Sequence, residues 1–191
     1  MVLHALRVRK TRVRFSASRP IYMTLTTHAV VGAAVASIIP AHPVIGFIGG
    51  FASHFAIDSI PHWAEGKFLI RSVDKKHGVE ASRTVRPGLD LVHDLAVVGA
   101  DSLLGFGVAT AILFGLFHVP LYIVLLGAFA GQLPDGLQFV YFIFKPKFML
   151  PLQKFHERIQ EEHDEYAYLG IEGGLILSTI ALGILGLFML H

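Results

Sequence analysis

The 191-residue chain contains no cysteine, so thiolate metal sites, disulfides and cysteine nucleophiles are all excluded, and any metal has to be held by His, Asp or Glu. Charge is scarce too. Asp, Glu, Lys and Arg make up 16% of the residues against 53% hydrophobic ones, and the mean hydropathy is +0.60, well above what a soluble domain of this size carries. No G-x-S-x-G elbow occurs, which leaves serine hydrolysis unsupported. The pI of about 9.0 does not point to nucleic acid: the basic residues lie between apolar runs, without interleaved aromatics or a recognisable module, and are better explained as topology signals. The composition predicts an all-α integral membrane protein.

Residues 1 to 22 carry Arg7, Arg9, Lys10, Arg12, Arg14 and Arg19 and no acid. They form a basic cytoplasmic arm, a segment resembling a transit peptide, or a leader ahead of a true start at Met23. Residues 23 to 191 are expected to form one helical membrane domain. Two short apolar runs follow the arm, Thr24 to Ile39 and Val44 to Ile60, separated by Pro40 and Pro43. Each is near the lower limit for a bilayer span, so a short spanning hairpin and a deep re-entrant hairpin are both open. Gly32, Ala36, Gly46, Gly49 and Gly50 would let the two helices approach closely.

The polar loop from Pro61 to Gly88 leads to a long third helix over Asp90 to Phe117, on which Asp90, Asp94 and Asp101 form one stripe. Asp90 is also placed to cap its start. A fourth run, Leu121 to Phe144, contains GQLPDGLQ; Gly131, Pro134 and Gly136 predict a broken helix there, with Gln132, Asp135 and Gln138 on one face. Leu152, Phe155, Ile159 and Tyr166, flanked by His156 and His163, give the pattern of an amphipathic helix lying in the membrane interface. A fifth run, Leu169 to Leu190, is long enough to span. The expected architecture is therefore about five transmembrane helices plus one interfacial amphipathic helix.

All 16 Lys and Arg residues fall in three segments: the arm, the loop after the second run, and the segment before the fifth. With five spans these share one side, which the positive-inside rule makes cytoplasmic, so the N-terminus is expected inside and the C-terminus outside. Residues 33 to 53 and 102 to 131 hold no Asp, Glu, Lys or Arg, and their only histidines are His42 and His118. Polar groups thus gather under one leaflet. A cation transporter needs them near the midplane with access from both faces, so it ranks below a pocket open to the cytoplasm and to lipid.

The stretch SHFAIDSIPHW, Ser53 to Trp63, places His54, Asp58 and His62 at i, i+4 and i+8. On a helix His54 and Asp58 share one face, ahead of Pro61, which should end it. An imidazole and a carboxylate one turn apart form a metal-binding or acid/base pair, and inside apolar sequence such a pair is costly unless used. His28, His54 and Asp58 can supply a set of ligands for Zn, Mn or Fe; Asp94, Asp135 and His156 can complete it, bind a second metal, or serve as base and surrounding support. The other reading is a non-catalytic protein in which these groups bind a metal structurally or join helices.

TTHAVVGAA (Thr26 to Ala34), GFASHFAIDSIPHW (Gly50 to Trp63), GQLPDGLQ (Gly131 to Gln138) and KFHERI (Lys154 to Ile159) together resemble the small bacterial and archaeal membrane-bound, metal-dependent hydrolases of the LexA-regulated inner-membrane type. The likeness covers roughly residues 23 to 163. It implies a helical inner-membrane hydrolase and marks His28, His54, Asp58, Asp135 and His156. Many of those proteins also carry Pro-Asp after the first helix and a His-Arg-Gly-x-Thr-His-Ser stretch; this chain has Pro40-Ala41-His42 and no such stretch. The expectation is a His/Asp divalent-metal site, zinc first, that hydrolyses a lipid-like substrate drawn from the cytoplasmic leaflet, with Asp135, Asp94 and His156 as the catalytic candidates.

Overall fold

The computed structural model describes residues 25–59, 85, 87–159, 176, 178–182 and 184–186, and the elements among them are all helices. These are α1 (Leu25–Ser37), α2 (Pro43–Asp58), α3 (Leu89–Ala109, running on through a π-helical turn, Thr110–Phe114), α4 (Leu121–Phe144) and α5 (Leu150–Ile159), the last entered through a 3₁₀ turn at Lys147–Met149.

The shortest of the apolar helices is the centre of the fold. Eleven of the thirteen residues of α1 are buried, because α2, α3 and α4 pack around it. Its small side chains permit this. A Cβ on Gly32 would lie 2.5 Å from the Gly127 carbonyl oxygen, one on Gly127 would lie 2.6 Å from Ala36 Cβ, and one on Gly131 would run into the His28 carbonyl. Small residues therefore interleave along α1 and α4, as they do in membrane helix pairs where backbones come close. Gly46 and Gly49 of α2 sit against Ala36 and Val35, as the sequence suggests for the first two helices, whereas Gly32 faces α4 and Gly50 touches both α1 and α4. Ala29, Val30 and Ala33 of α1 then meet Leu113 beyond α3, Ile123 and Val124 of α4, and Leu185 of the C-terminal run in one apolar core.

Two helices, α3 with its π turn and α4, are long and apolar enough to cross a membrane, at 26 and 24 residues, or roughly 36–39 Å at 1.5 Å per residue. α1 and α2, at 13 and 16 residues, fall short of the ~20 that a span needs. Of the expected five spans, then, two are long enough among the described residues, and the first two runs make a shorter hairpin. Residues 178–182 and 184–186 of the fifth run are helical; the rest of that run lies outside the described residues, as do the basic arm and the loop that follows Ser59 up to residue 84. The outward faces are apolar: Leu103 (73% exposed), Leu104, Tyr122, Phe129, Val44 and Ile48 all point away from the core.

Two local expectations are corrected, the break in α4 and the cap at Asp90. α4 is one continuous helix with Pro134 inside it, not two halves broken at GQLPDGLQ. Pro134 deprives the Ala130 carbonyl of its helical donor, but the neighbouring Gly131 carbonyl takes a hydrogen bond from a side chain of α2, and such outside partners let a helix continue through proline. In α5 the face turned inward is polar: Gln153 and His156 are buried, while Phe155 is 51% exposed. Of the apolar stripe, Phe155 looks outward, Leu152 and Ile159 are half-buried, and Tyr166 lies outside the described residues. Gly88 occupies the N-cap of α3, and Asp90 sits in the first turn rather than capping it; there its charge suits the positive end of the helix.

Candidate metal centre

Four helices deliver one ligand-type side chain or more each to a single point. His28 comes from the first turn of α1, His54 and Asp58 from the last two turns of α2, Asp135 from α4 just past Pro134, and His156 from α5. Asp58 is the hub. Its Oδ2 lies 3.1 Å from His54 Nε2 and 3.0 Å from His156 Nε2, and its Oδ1 lies 3.4 Å from His28 Nε2. His54 Nε2 and His156 Nε2 are 3.2 Å apart. Three ligand atoms thus form a near-equilateral triangle, and Asp135 Oδ1 stands 3.6 Å and 3.7 Å from its two nitrogens.

The protonation of His54 follows from its partners. Its Nδ1 is 2.8 Å from the Gly131 carbonyl oxygen, which can only accept, so Nδ1 carries the proton and donates. In neutral His54, Nε2 is then a bare lone pair aimed at Asp58 Oδ2 and His156. A carbonyl behind one ring nitrogen is the usual way a protein fixes a ligand histidine's tautomer and orientation. The cluster is closed in one of two ways: by a proton on His156 Nε2, donated to Asp58 Oδ2 at 3.0 Å, or by a metal ion that takes the lone pairs of both imidazoles and the carboxylate.

The spacing suits a metal. Four ligands at about 2.0–2.1 Å from a tetrahedral ion stand roughly 3.3–3.4 Å apart, and the five measured edges run from 3.0 to 3.7 Å. His54, Asp58, Asp135 and His156 could hold a metal ion, their ligand atoms all lying within 4.8 Å of one another. Burial separates the four. The side chains of His54, Asp58 and His156 are at most 2% exposed, but that of Asp135 is 29% exposed. Asp135 is also the most distant of the four from the nitrogens. Among these four described residues it is therefore the one through which the cluster meets the outside.

His28 is brought to the cluster but not into the foursome. It holds the other oxygen of Asp58 and stacks on His54 with ring centroids 4.2 Å apart, so it supports two ligands from behind. On the other side Phe55 packs edge-on against His54, His156 and Phe155, an apolar wall that keeps water from the imidazoles. Asp94 is buried, with His93 Nδ1 3.3 Å from its carboxylate, and is not one of the four. His62 and His163 lie outside the described residues.

A second polar group lies one turn away along α1 and α4 and is completed by α3. Asp101 of α3 accepts from the Leu25 backbone N–H (2.6 Å) and the Thr26 hydroxyl (2.7 Å), which makes it a cap for α1 supplied by another helix. The Gln132 carboxamide accepts from the Ser102 hydroxyl (2.6 Å) and donates to the Leu25 carbonyl (3.1 Å). Sequence reasoning put Asp101 on a polar stripe and Gln132 beside a cavity; neither partner could be found from spacing, because both bonds join residues far apart in the chain. The Gly131 carbonyl was invisible for another reason: every residue has one, and only packing selects it.

Comparison with protein-family models, with curated proteins and with solved structures returns no match.

Proposed function

We propose that this protein is a membrane-embedded, metal-dependent hydrolase that acts on a lipid-like substrate from the cytoplasmic leaflet. The observation that carries the reading is the triangle of His54 Nε2, His156 Nε2 and Asp58 Oδ2, buried and convergent, beside the partly exposed Asp135. Nitrogen and carboxylate ligands at these spacings favour zinc, with manganese or iron as substitutes. When bound, such an ion supplies Lewis acidity and brings the pKa of a water toward neutrality.

The chain's own residues divide the remaining work. His54, held by Gly131, and His156, held between Asp58 and the Phe55 wall, fix the site's geometry. Asp58 neutralises it and is steadied by His28. Asp135, reached from outside and loosely placed, is the general base or an exchangeable ligand. Five spans are the reading of the apolar runs; given them, the placement of Lys and Arg puts the N-terminus inside and the C-terminus outside, and the resemblance points to the inner membrane. A substrate arriving from the bilayer fits the outward-facing apolar side chains around α5. The resemblance to membrane-bound, metal-dependent hydrolases supports the same reading.

Elemental analysis of detergent-purified protein tests it, beside His54→Ala and Asp58→Asn variants. Stoichiometric Zn, Mn or Fe in the wild type, absent from both variants, is the expected result, followed by metal-dependent turnover of lipid esters or phosphoesters. Protein that contains no metal and takes none up is the result expected of the other reading, in which a proton holds the cluster and the residues only lock α2, α4 and α5 together.

A further inference from the structure

α5 has three distinct faces. Gln153 and His156 are buried in the candidate centre; Phe155 is exposed along the apolar stripe, with Phe148 ahead of it at 82% exposed; Lys154 and Arg158, at i and i+4, form an exposed basic edge. The exposed Phe148 and Phe155 have no use for water, and lone apolar side chains do not explain the cations beside them.

The charge distribution identifies what covers them. Four of the sixteen Lys and Arg residues of the chain lie between 145 and 158, with Glu157 as the acid among them. Lys145 is occupied within the fold, its ammonium 5.2 Å and 5.4 Å from the rings of Tyr141 and Phe142 and its charge offset by Glu157. Lys147, Lys154 and Arg158 are exposed and, among the described residues, have no carboxylate partner. Two aromatic side chains in line with three cations match a leaflet that is apolar below and anionic at its phosphates.

We propose that α5 seats on anionic lipid, with Phe148 and Phe155 at the acyl-chain boundary and Lys147, Lys154 and Arg158 at the headgroup phosphates. The proposal rests on the membrane placement argued above and not on the hydrolytic reading. It gives α5 a double role, since the helix that carries His156 would also hold the centre against the lipid surface.

The absence of cysteine makes the test direct. Phe148→Cys and Phe155→Cys, each spin-labelled in the full chain, are reconstituted in nanodiscs of phosphatidylcholine alone or mixed with phosphatidylglycerol, and immersion depth is read from collision with oxygen and with an aqueous nickel complex. Both labels are expected roughly 5–10 Å below the headgroup level with phosphatidylglycerol, and shallower without it. Combining Lys147→Gln, Lys154→Gln and Arg158→Gln should erase the difference between the two lipids. Phe148 touches little, so its label reports even if loss of the Phe155–Phe55 contact disturbs the fold. Equal depth in the two lipids overturns the proposal. Labels in water in both lipids also overturn it and leave an acidic protein partner as the occupant. Failure of the protein to enter nanodiscs overturns it together with the membrane placement, while metal content measured on the same samples keeps the hydrolytic reading separate.

Discussion

Two polar groups sit one helical turn apart in this apolar bundle, and they are built on opposite plans. Around Asp101 and Gln132 each donor meets an acceptor: a backbone N–H and a hydroxyl face a carboxylate, and a carboxamide accepts at one end and donates at the other. Around Asp58 the acceptors face one another, two imidazole nitrogens and a carboxylate oxygen within 3.0–3.2 Å. The first arrangement is complete as it stands and needs nothing from outside. The second closes only when His156 Nε2 carries a proton for Asp58 or a metal ion takes its place. Side chains of similar polarity, half-buried at Asp101 and fully buried at Asp58, thus form a joint in one place and a group that could hold a metal ion in the other, and what separates them is which atoms are turned inward.

The largest effect that can break this contrast is loss of the metal. His54→Ala removes one corner of the triangle and should abolish metal binding, read by elemental analysis, while circular dichroism still shows the helical fold. The equivalent cut in the joint, Gln132→Ala, should leave metal stoichiometry unchanged. If Gln132→Ala emptied the site as thoroughly as His54→Ala, the two groups would be one network and the contrast would fail.

Next in size is a substitution that should damage both groups at once. Gly131→Val places a branched side chain where even a Cβ meets the His28 carbonyl, so α1 and α4 must separate, taking Leu25 away from Gln132 and His54 away from the Gly131 carbonyl. Overpacking of this kind costs about 3 kcal/mol or more, and thermal denaturation in detergent should show a large fall in Tm together with loss of metal. Gly107→Val is the matched control: nothing lies within 4 Å of a Cβ there, and the Tm should move little.

How much of this the sequence revealed depends on the range of the interaction. His54 and Asp58 were legible because they are four residues apart, and the helical period puts them on one face without help from tertiary structure. His28, Asp135 and His156 were found from their residue types within apolar sequence and from the family resemblance. Their grouping into a foursome with His28 behind it was not legible, since it depends on the angle at which α5 crosses α2. The same limit applies to α4. Gly131, Pro134 and Gly136 favour a break by local propensity, and a tertiary bond from His54 overrides it. For α1 and α2 the sequence left a short spanning hairpin and a re-entrant one both open; at 13 and 16 residues they are shorter than a full span, and α1 is buried on nearly every side.

A smaller effect sharpens the division within the centre itself. His28 touches Asp58 Oδ1 and the His54 ring, so it acts through the ligands. His28→Gln keeps a polar group of similar reach and should weaken metal affinity by about 10–100-fold, the usual cost of disturbing a ligand's support, without changing the stoichiometry at saturating metal. Competition with a chelator of known affinity measures it. A stoichiometric loss like that of His54→Ala would place His28 among the ligands instead.

The smallest predicted effect is the most discriminating. Asp101→Asn preserves size and shape but exchanges one carboxylate oxygen for an NH₂ group, so one of the two donors from Leu25 and Thr26 now faces a donor. The Thr26 hydroxyl can rotate to accept, which limits the loss to about 1 kcal/mol, the net worth of one buried hydrogen bond, and metal content should not change. Asp58→Asn is the same chemical edit one turn away and should have the opposite profile: the hub oxygen or its charge is lost, metal binding goes with it, and the helices stay assembled. Measuring Tm and bound metal for both variants therefore crosses the two groups in one experiment. Should Asp101→Asn release metal, or Asp58→Asn retain it, the opposition between satisfied joint and convergent site would be wrong at the residue on which it depends.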